Sequence, residues 1–313
     1  MEKFPGKLIL PNEVEEQRSQ RQRELVRSAS CGILIRSAII TFELFGVWLF
    51  ASSALLLDAL ASIVDILSSL LLIVCIKLAG RPPDDNHPFG HGRYEPLVGV
   101  QLGLLLLVVG IGMLIQQLFQ FFGATAEKEI DGHAWIFAVV AVILLEVSYQ
   151  VVMRTAKKQN SPAMIADAFH YRIDAITSLF AAVALIFAAF VPTWSHWIDH
   201  GGAILIAALM IYLGVTAALS NIHQLLDRVP AEKFFNRVKI AAKRAKGVLG
   251  TEKIGIQLCG PDAHVDIDVE VDPHLTVEVA HKISQEVRHE IQKEWPAVRD
   301  VIVHIEPYYP NDH

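Results

Sequence analysis

Six apolar runs dominate the hydrophobic pattern, over residues 32–51, 54–79, 97–122, 133–153, 163–191 and 200–220. A bilayer core takes about 20 apolar residues of helix, so each run predicts a transmembrane span. Almost nothing separates the first two, which predicts a tight helical hairpin. Residues 1–30 are polar, early on punctuated by proline and then charged from Glu15 to Arg23, and suit either a surface helix or a loose segment. After Asp227-Arg228-Val229-Pro230 the pattern becomes that of a soluble domain. A basic amphipathic helix is predicted over 231–246, strands over 253–258 and 264–271, a helix over 275–294 and a last strand over 301–305. The second strand alternates strictly, Val265-Asp266-Ile267-Asp268-Val269-Glu270-Val271, the mark of a sheet with one buried face. The fold class is therefore an α-helical membrane protein of six transmembrane helices with a C-terminal cytoplasmic α+β, ferredoxin-like αββαβ domain. Its parts are an N-terminal segment (1–30), a membrane domain (31–222) and a tail domain (229–313). A tail of about 80 residues is marginal alone and gains from dimerising.

Composition agrees. The 313 residues are 53% hydrophobic, and the mean hydropathy is +0.40, which points to an integral membrane protein. The net charge of −6 is spread through loops and tail and does not suggest a nucleic-acid partner. Lys3, Lys7, Arg18, Arg21, Arg23 and Arg27 precede the first run; Lys77, Arg81 and Arg93 flank the second connection; Arg154, Lys157 and Lys158 lie between runs four and five. The opposite loops hold only Lys128, so both termini face the cytoplasm, in an inner or plasma membrane. Cys31, Cys75 and Cys259 have no CxxC spacing, which argues against a disulfide framework or a thiolate zinc site. Glu2, Glu13, Glu15 and Glu16 before any apolar run do not suit a cleavable signal peptide.

The chemistry gathers in the fifth run, at Ala166-Asp167-Ala168-Phe169-His170-Tyr171-Arg172-Ile173-Asp174. His170 and Asp174 project from one side of a helix, about 6 Å apart along its axis. Ionisable groups at membrane depth cost about 2.5–3.5 kcal/mol each on insertion scales, so they find partners. Asp65, inside the second run, is available. Antiparallel neighbours place it level with His170, and Ala61 level with Asp174. Two readings stand: Asp65, His170 and Asp174 as metal ligands meeting at mid-membrane, or satisfied polar spots in a bundle. Oxygen and imidazole donors fit Zn²⁺ and also accept Fe²⁺, Co²⁺ or Mn²⁺. Asp58 and Asp167 each lie seven residues before a site aspartate and either line two half-channels or mark hydrated helix ends. Arg172 faces a cytoplasmic vestibule or pairs with an acid, for which Glu43 is a candidate. The loop Pro82-Pro83-Asp84-Asp85-Asn86-His87-Pro88-Phe89-Gly90-His91-Gly92-Arg93 spaces Asp84, His87 and His91 by three and four. They form a second metal site or belong to a solvated, turn-rich loop.

The six spans, Leu56-Leu57-Asp58-Ala59 leading to Asp65, this loop, the His170–Asp174 helix and the αββαβ tail together resemble the cation diffusion facilitator family over residues 25–308. The resemblance implies a homodimer that exports divalent transition metal from the cytoplasm in exchange for protons. It implies transport-site ligands at Asp65, His170 and Asp174, and a membrane–cytoplasm site at Asp84, His87 and His91. Tail positions matching family regulatory sites are Glu252, Asp268, His281, His304 and Glu306. Arg93 and Asp227 match a family charge pair where the two domains meet. In one respect the chain departs from the pattern: the family's fourth transport ligand, one turn before Asp65, is replaced by Ala61. The expected activity is proton-coupled export of Zn²⁺, Fe²⁺, Mn²⁺ or Co²⁺, since ligands must shed protons to bind metal. The alternative is a non-transporting metal sensor or heterodimer scaffold that lost a ligand at Ala61. No second constellation marks a substrate pocket, so an enzyme is not expected.

Overall fold

The computed structural model of the chain describes residues 12–50, 53–122, 134–190 and 192–310. Six long helices come first: α1 (Asn12–Phe50), α2 (Ser53–Ala79), α3 (Tyr94–Phe122), α4 (Ala134–Lys158), α5 (Pro162–Phe190) and α6 (Pro192–Leu225). Among the described residues, four are long and apolar enough to cross a membrane: Asn12–Phe42, Tyr94–Phe119, Val139–Lys158 and Ala207–Leu225. The N-terminal segment is not loose from Asn12 onward, because α1 runs unbroken into the first apolar run.

The chain divides into two compact units. One comprises Arg23–Lys77 and Glu95–Ile222, the other Met1–Gln22, Leu78–Tyr94 and His223–His313. In the first, small residues bring α3 and α6 together. A Cβ on Gly103 would lie 2.6 Å from the Ala218 nitrogen, and one on Gly214 would lie 2.8 Å from the Leu107 nitrogen. Helices in lipid gain little from hydrophobic burial against each other, so such close backbone approach supplies the packing. The α4–α5 connection is short. Asn160 takes a left-handed conformation (φ 48°), and the buried Ser161 hydroxyl accepts from the Met164 N–H at 3.3 Å. A serine N-cap followed by Pro162 at the first helical position thus starts the helix that carries His170.

The second unit contains the expected αββαβ order: α7 (Glu232–Ala242), β1 (Gly250–Cys259), β2 (Asp262–Val271), α8 (Val277–Glu294) and β3 (Val298–Pro307). The sheet runs β1-β2-β3, with β1 antiparallel and β3 parallel to β2. A parallel neighbour needs a crossover, which α8 provides. Ala263, Val265, Ile267, Val269 and Val271 are all buried on one face of β2, as the alternation predicts, and pack with Val238, Ile283, Val287 and Ile291. Trp295 stacks on Phe234 with ring centroids 4.6 Å apart. The N-terminal turns of α1 belong to this unit. The fully buried Asp262 carboxylate pairs with Arg18, and with Arg299 Nε at 2.8 Å. Arg18 also donates to the carbonyls of Pro296 and Ala297, each at 3.4 Å.

The glycine contacts make a matched test. Gly214→Leu should cost about 1–3 kcal/mol by overpacking, seen as a lower thermal midpoint of the detergent-solubilised protein. Gly112→Ala, where a Cβ meets nothing within 4 Å among the described residues, should leave the midpoint unchanged or slightly raised.

Candidate metal centre

Two contacts tie α2 to α5 in antiparallel register. His170 Nε2 lies 2.6 Å from Asp65 Oδ1, and the Ser69 hydroxyl donates to Asp167 Oδ1 at 2.9 Å. Asp65 and Ser69 are four apart on α2, Asp167 and His170 three apart on α5, so the rungs fall on facing stripes. Asp174 stands one turn beyond His170. One ligand atom from each of Asp65, His170 and Asp174 lies within 4.8 Å of the other two, all three half-buried. Asp167 is not a hydrated helix-end residue: it is buried, with 2% of its surface exposed. The side chains of Asp58, Ala61 and Glu43 lie outside the described residues.

A fourth side chain enters from α1. Arg36 Nη2 donates to Asp174 Oδ2 at 2.6 Å, and Arg36 Nη1 pairs with Asp65 Oδ2. Its guanidinium lies 4.6 Å from the centre of the Tyr171 ring. Gly32, one turn earlier on α1, admits that ring: a Cβ there would lie 2.5 Å from the Tyr171 hydroxyl. Asp65 therefore serves His170 with one oxygen and Arg36 with the other. The sequence reading singles out neither Arg36 nor Glu146, although an ionisable side chain inside a membrane-length apolar run is itself the signal. Glu146 on α4 is a partner of Arg172, and the Arg172 guanidinium lies 4.8 Å from the Tyr149 ring centre.

The loop between α2 and α3 gathers its own cluster. Asp84 Oδ1 accepts from the backbone N–H of His87 at 2.7 Å and of Asn86 at 2.9 Å, so a turn centred on Asp84 aims the histidines. His87 Nδ1 is 3.2 Å from Asp84 Oδ1, and His91 Nε2 is 3.3 Å from Asp84 Oδ2. Slight desolvation raises the Asp84 carboxyl, but the His87 and Asn86 N–H groups outweigh it and hold the carboxyl below its ordinary range. Arg93 Nη2 reaches Asp227 at 3.3 and 3.4 Å. Asp227 is left-handed (φ 56°) just beyond α6. Both side chains are exposed, which limits the pair to about 0–1 kcal/mol.

On the sheet, β2 and β3 set Asp268 opposite His304 and Glu270 opposite Glu306. His304 Nδ1 lies 3.2 Å from Glu306 Oε1 and 3.5 Å from Asp268 Oδ1. Desolvation, a hydrogen bond with Glu252, and the Asp268 and Glu252 charges together push the Glu306 carboxyl up. Four of the five tail residues thus adjoin. His281 keeps to α8, where its Nε2 is 3.3 Å from Gln285.

Residues 31–226 match the cation efflux transmembrane domain and 230–308 the cation efflux protein cytoplasmic domain. The chain belongs to the cation diffusion facilitator family. Manganese efflux system protein MneS of Bacillus subtilis is 30% identical over 260 residues, covering 83% of this chain and 88% of the relative. MneP of the same organism is 24% identical over 262 residues, covering 82% and 88%. The cation-efflux pump FieF of Shewanella oneidensis is 27% identical over 277 residues, covering 86% and 89%. The protein is thus an integral membrane protein of a family that exports metal cations, with a helical membrane domain and a small α+β domain.

The Glu306 environment predicts a stability effect. A carboxyl raised in the folded state contributes stability that is present below its unfolded pKa and is lost as pH rises through the folded value. Glu306→Gln should therefore raise the thermal midpoint in chelator at neutral pH and change it little in acid. An equal gain at both pH values would contradict the repulsion described.

Proposed function

We propose that the protein is a homodimeric antiporter that carries a divalent transition metal, Mn²⁺ or Fe²⁺ before Zn²⁺, out of the cytoplasm in exchange for protons. The observation that carries this reading is the convergence of Asp65, His170 and Asp174 from α2 and α5 within 4.8 Å. These three are the transport ligands. One imidazole and two carboxylates make an oxygen-rich set, and Mn²⁺ and Fe²⁺ accept five or six such positions where Zn²⁺ prefers four. Ala61 in place of a fourth ligand pushes the same way. The names of MneS and MneP, manganese efflux system proteins, support the choice of metal.

Proton coupling follows from the donors. A metal takes His170 Nε2 only when that nitrogen carries no proton, so each loading step releases protons that unloading takes back. Asp84, His87 and His91 form a second cation site in the loop. Asp268, His304 and Glu306, with Glu252 beside them, form a regulatory one, and His281 stands outside it. Arg93 and Asp227 act as a charge pair, and Asp58 and Asp167 line the path to the transport ligands. The domains divide at 1–30, 31–222 and 229–313, with both termini in the cytoplasm of an inner or plasma membrane. A second reading, a non-transporting sensor or heterodimer scaffold, draws on Ala61 and on the ion pairs Arg36 makes with two of the three ligands.

Reconstituted flux separates the two. Asp65→Ala, His170→Ala and Asp174→Ala should each lower Mn²⁺ flux into proteoliposomes by more than about tenfold, with the oligomer intact by size exclusion. Wild-type flux should fall as the cytoplasmic side is acidified, because protons compete for the same atoms. Transport indifferent to pH would remove the antiport claim, and wild-type protein without flux for any divalent metal would favour the scaffold.

A further inference from the structure

We propose that Arg36 is a built-in competitor of the metal: its guanidinium and the transported cation take turns on the Asp65 and Asp174 carboxylates. The inference rests on the assignment of Asp65, His170 and Asp174 as transport ligands. Three observations carry it. First, the guanidinium uses the same atoms a metal would need, Nη2 on Asp174 Oδ2 at 2.6 Å and Nη1 on Asp65 Oδ2, leaving His170 with the other Asp65 oxygen. Second, Arg36 is held where water does not substitute for those partners, with only 2% of its surface exposed. Third, among the described residues its Nε has no hydrogen-bond partner. The acids and the face of Tyr171, 4.6 Å away, hold the guanidinium.

Charge makes the two occupants exclusive. Two carboxylates and one guanidinium leave one negative charge. Two carboxylates and one divalent cation leave none, whereas adding the cation to the guanidinium would leave an excess positive charge in a low-dielectric site. Arg36 thus keeps both acids paired during the step in which the carrier travels without cargo, and it is expelled by like charge when cargo loads. It also sets specificity, because a cation must outbid a bidentate guanidinium to load. Arg36 is a positioning residue of this site, acting on the metal through the ligands they share. Its place in α1 gives a third helix a position that depends on what the α2–α5 pair holds.

The test is calorimetric titration of Mn²⁺ into the full-length protein in nanodiscs. Arg36→Gln should bind Mn²⁺ about tenfold tighter than wild type or better, because the competent fraction of sites rises. Arg36→Lys should fall between the two, since an ammonium cannot span both acids. Millimolar guanidinium chloride should weaken Mn²⁺ binding to Arg36→Gln and leave wild type unaffected, an effect that a purely structural arginine would not produce. Equal or weaker binding in Arg36→Gln, with His170→Ala still lowering wild-type affinity, overturns the competition and leaves the ligand assignment standing. If His170→Ala changes nothing in either background, both fall. If Arg36→Gln does not fold, Arg36→Lys decides: tighter binding supports the proposal, and unchanged binding overturns it.

Discussion

One guanidinium between two carboxylates governs the helical unit. Arg36, Asp65 and Asp174 are three ionisable side chains on three helices, and each alone would cost about 2.5–3.5 kcal/mol at membrane depth. Together they satisfy one another: Nη2 on Asp174, Nη1 on Asp65, and the remaining Asp65 oxygen on His170. The packing around them follows from that need. Gly32 removes a side chain from α1 so that Tyr171 can back the guanidinium, and Ser69 and Asp167 repeat the α2–α5 contact one rung along. Site and bundle are therefore one set of contacts.

The same constraint shapes the chemistry. A divalent cation about 4 Å from a guanidinium would feel about 8 kcal/mol of repulsion at an effective dielectric near 20. On the proposed assignment, metal loads only when some helix or side chain moves, and alternating access requires such movement. The substitution at Ala61 then has a physical counterpart. Where the family resemblance implies another donor, this chain has the methyl group of Ala61, and an α1 side chain supplies charge to Asp65 and Asp174.

Much of this was legible in the sequence, and the parts that were not share a cause. The αββαβ order and the buried face of β2 follow from period-two alternation, which is local. The pairing of Asp65 with His170 follows from two antiparallel spans of known length. Arg36 and Glu146 escaped because a helix-averaged apolar run absorbs one charge without losing its character, and a partner on another helix leaves no mark at fixed spacing. The Arg18–Asp262–Arg299 cluster is the same case in the α+β unit: its members are 244 and 37 residues apart from Asp262 in the chain. Only the fold brings them together. Conversely, the three-and-four spacing of Asp84, His87 and His91 was visible because one turn holds all three.

The most direct test is anomalous X-ray scattering at the manganese edge from Mn²⁺-loaded full-length protein. The account predicts a peak between His170 Nε2 and the carboxylates of Asp65 and Asp174, with the Arg36 guanidinium withdrawn from both acids, and no such peak in His170→Ala. Manganese found only at the loop or strand clusters, with Arg36 still bridging Asp65 and Asp174, would contradict it.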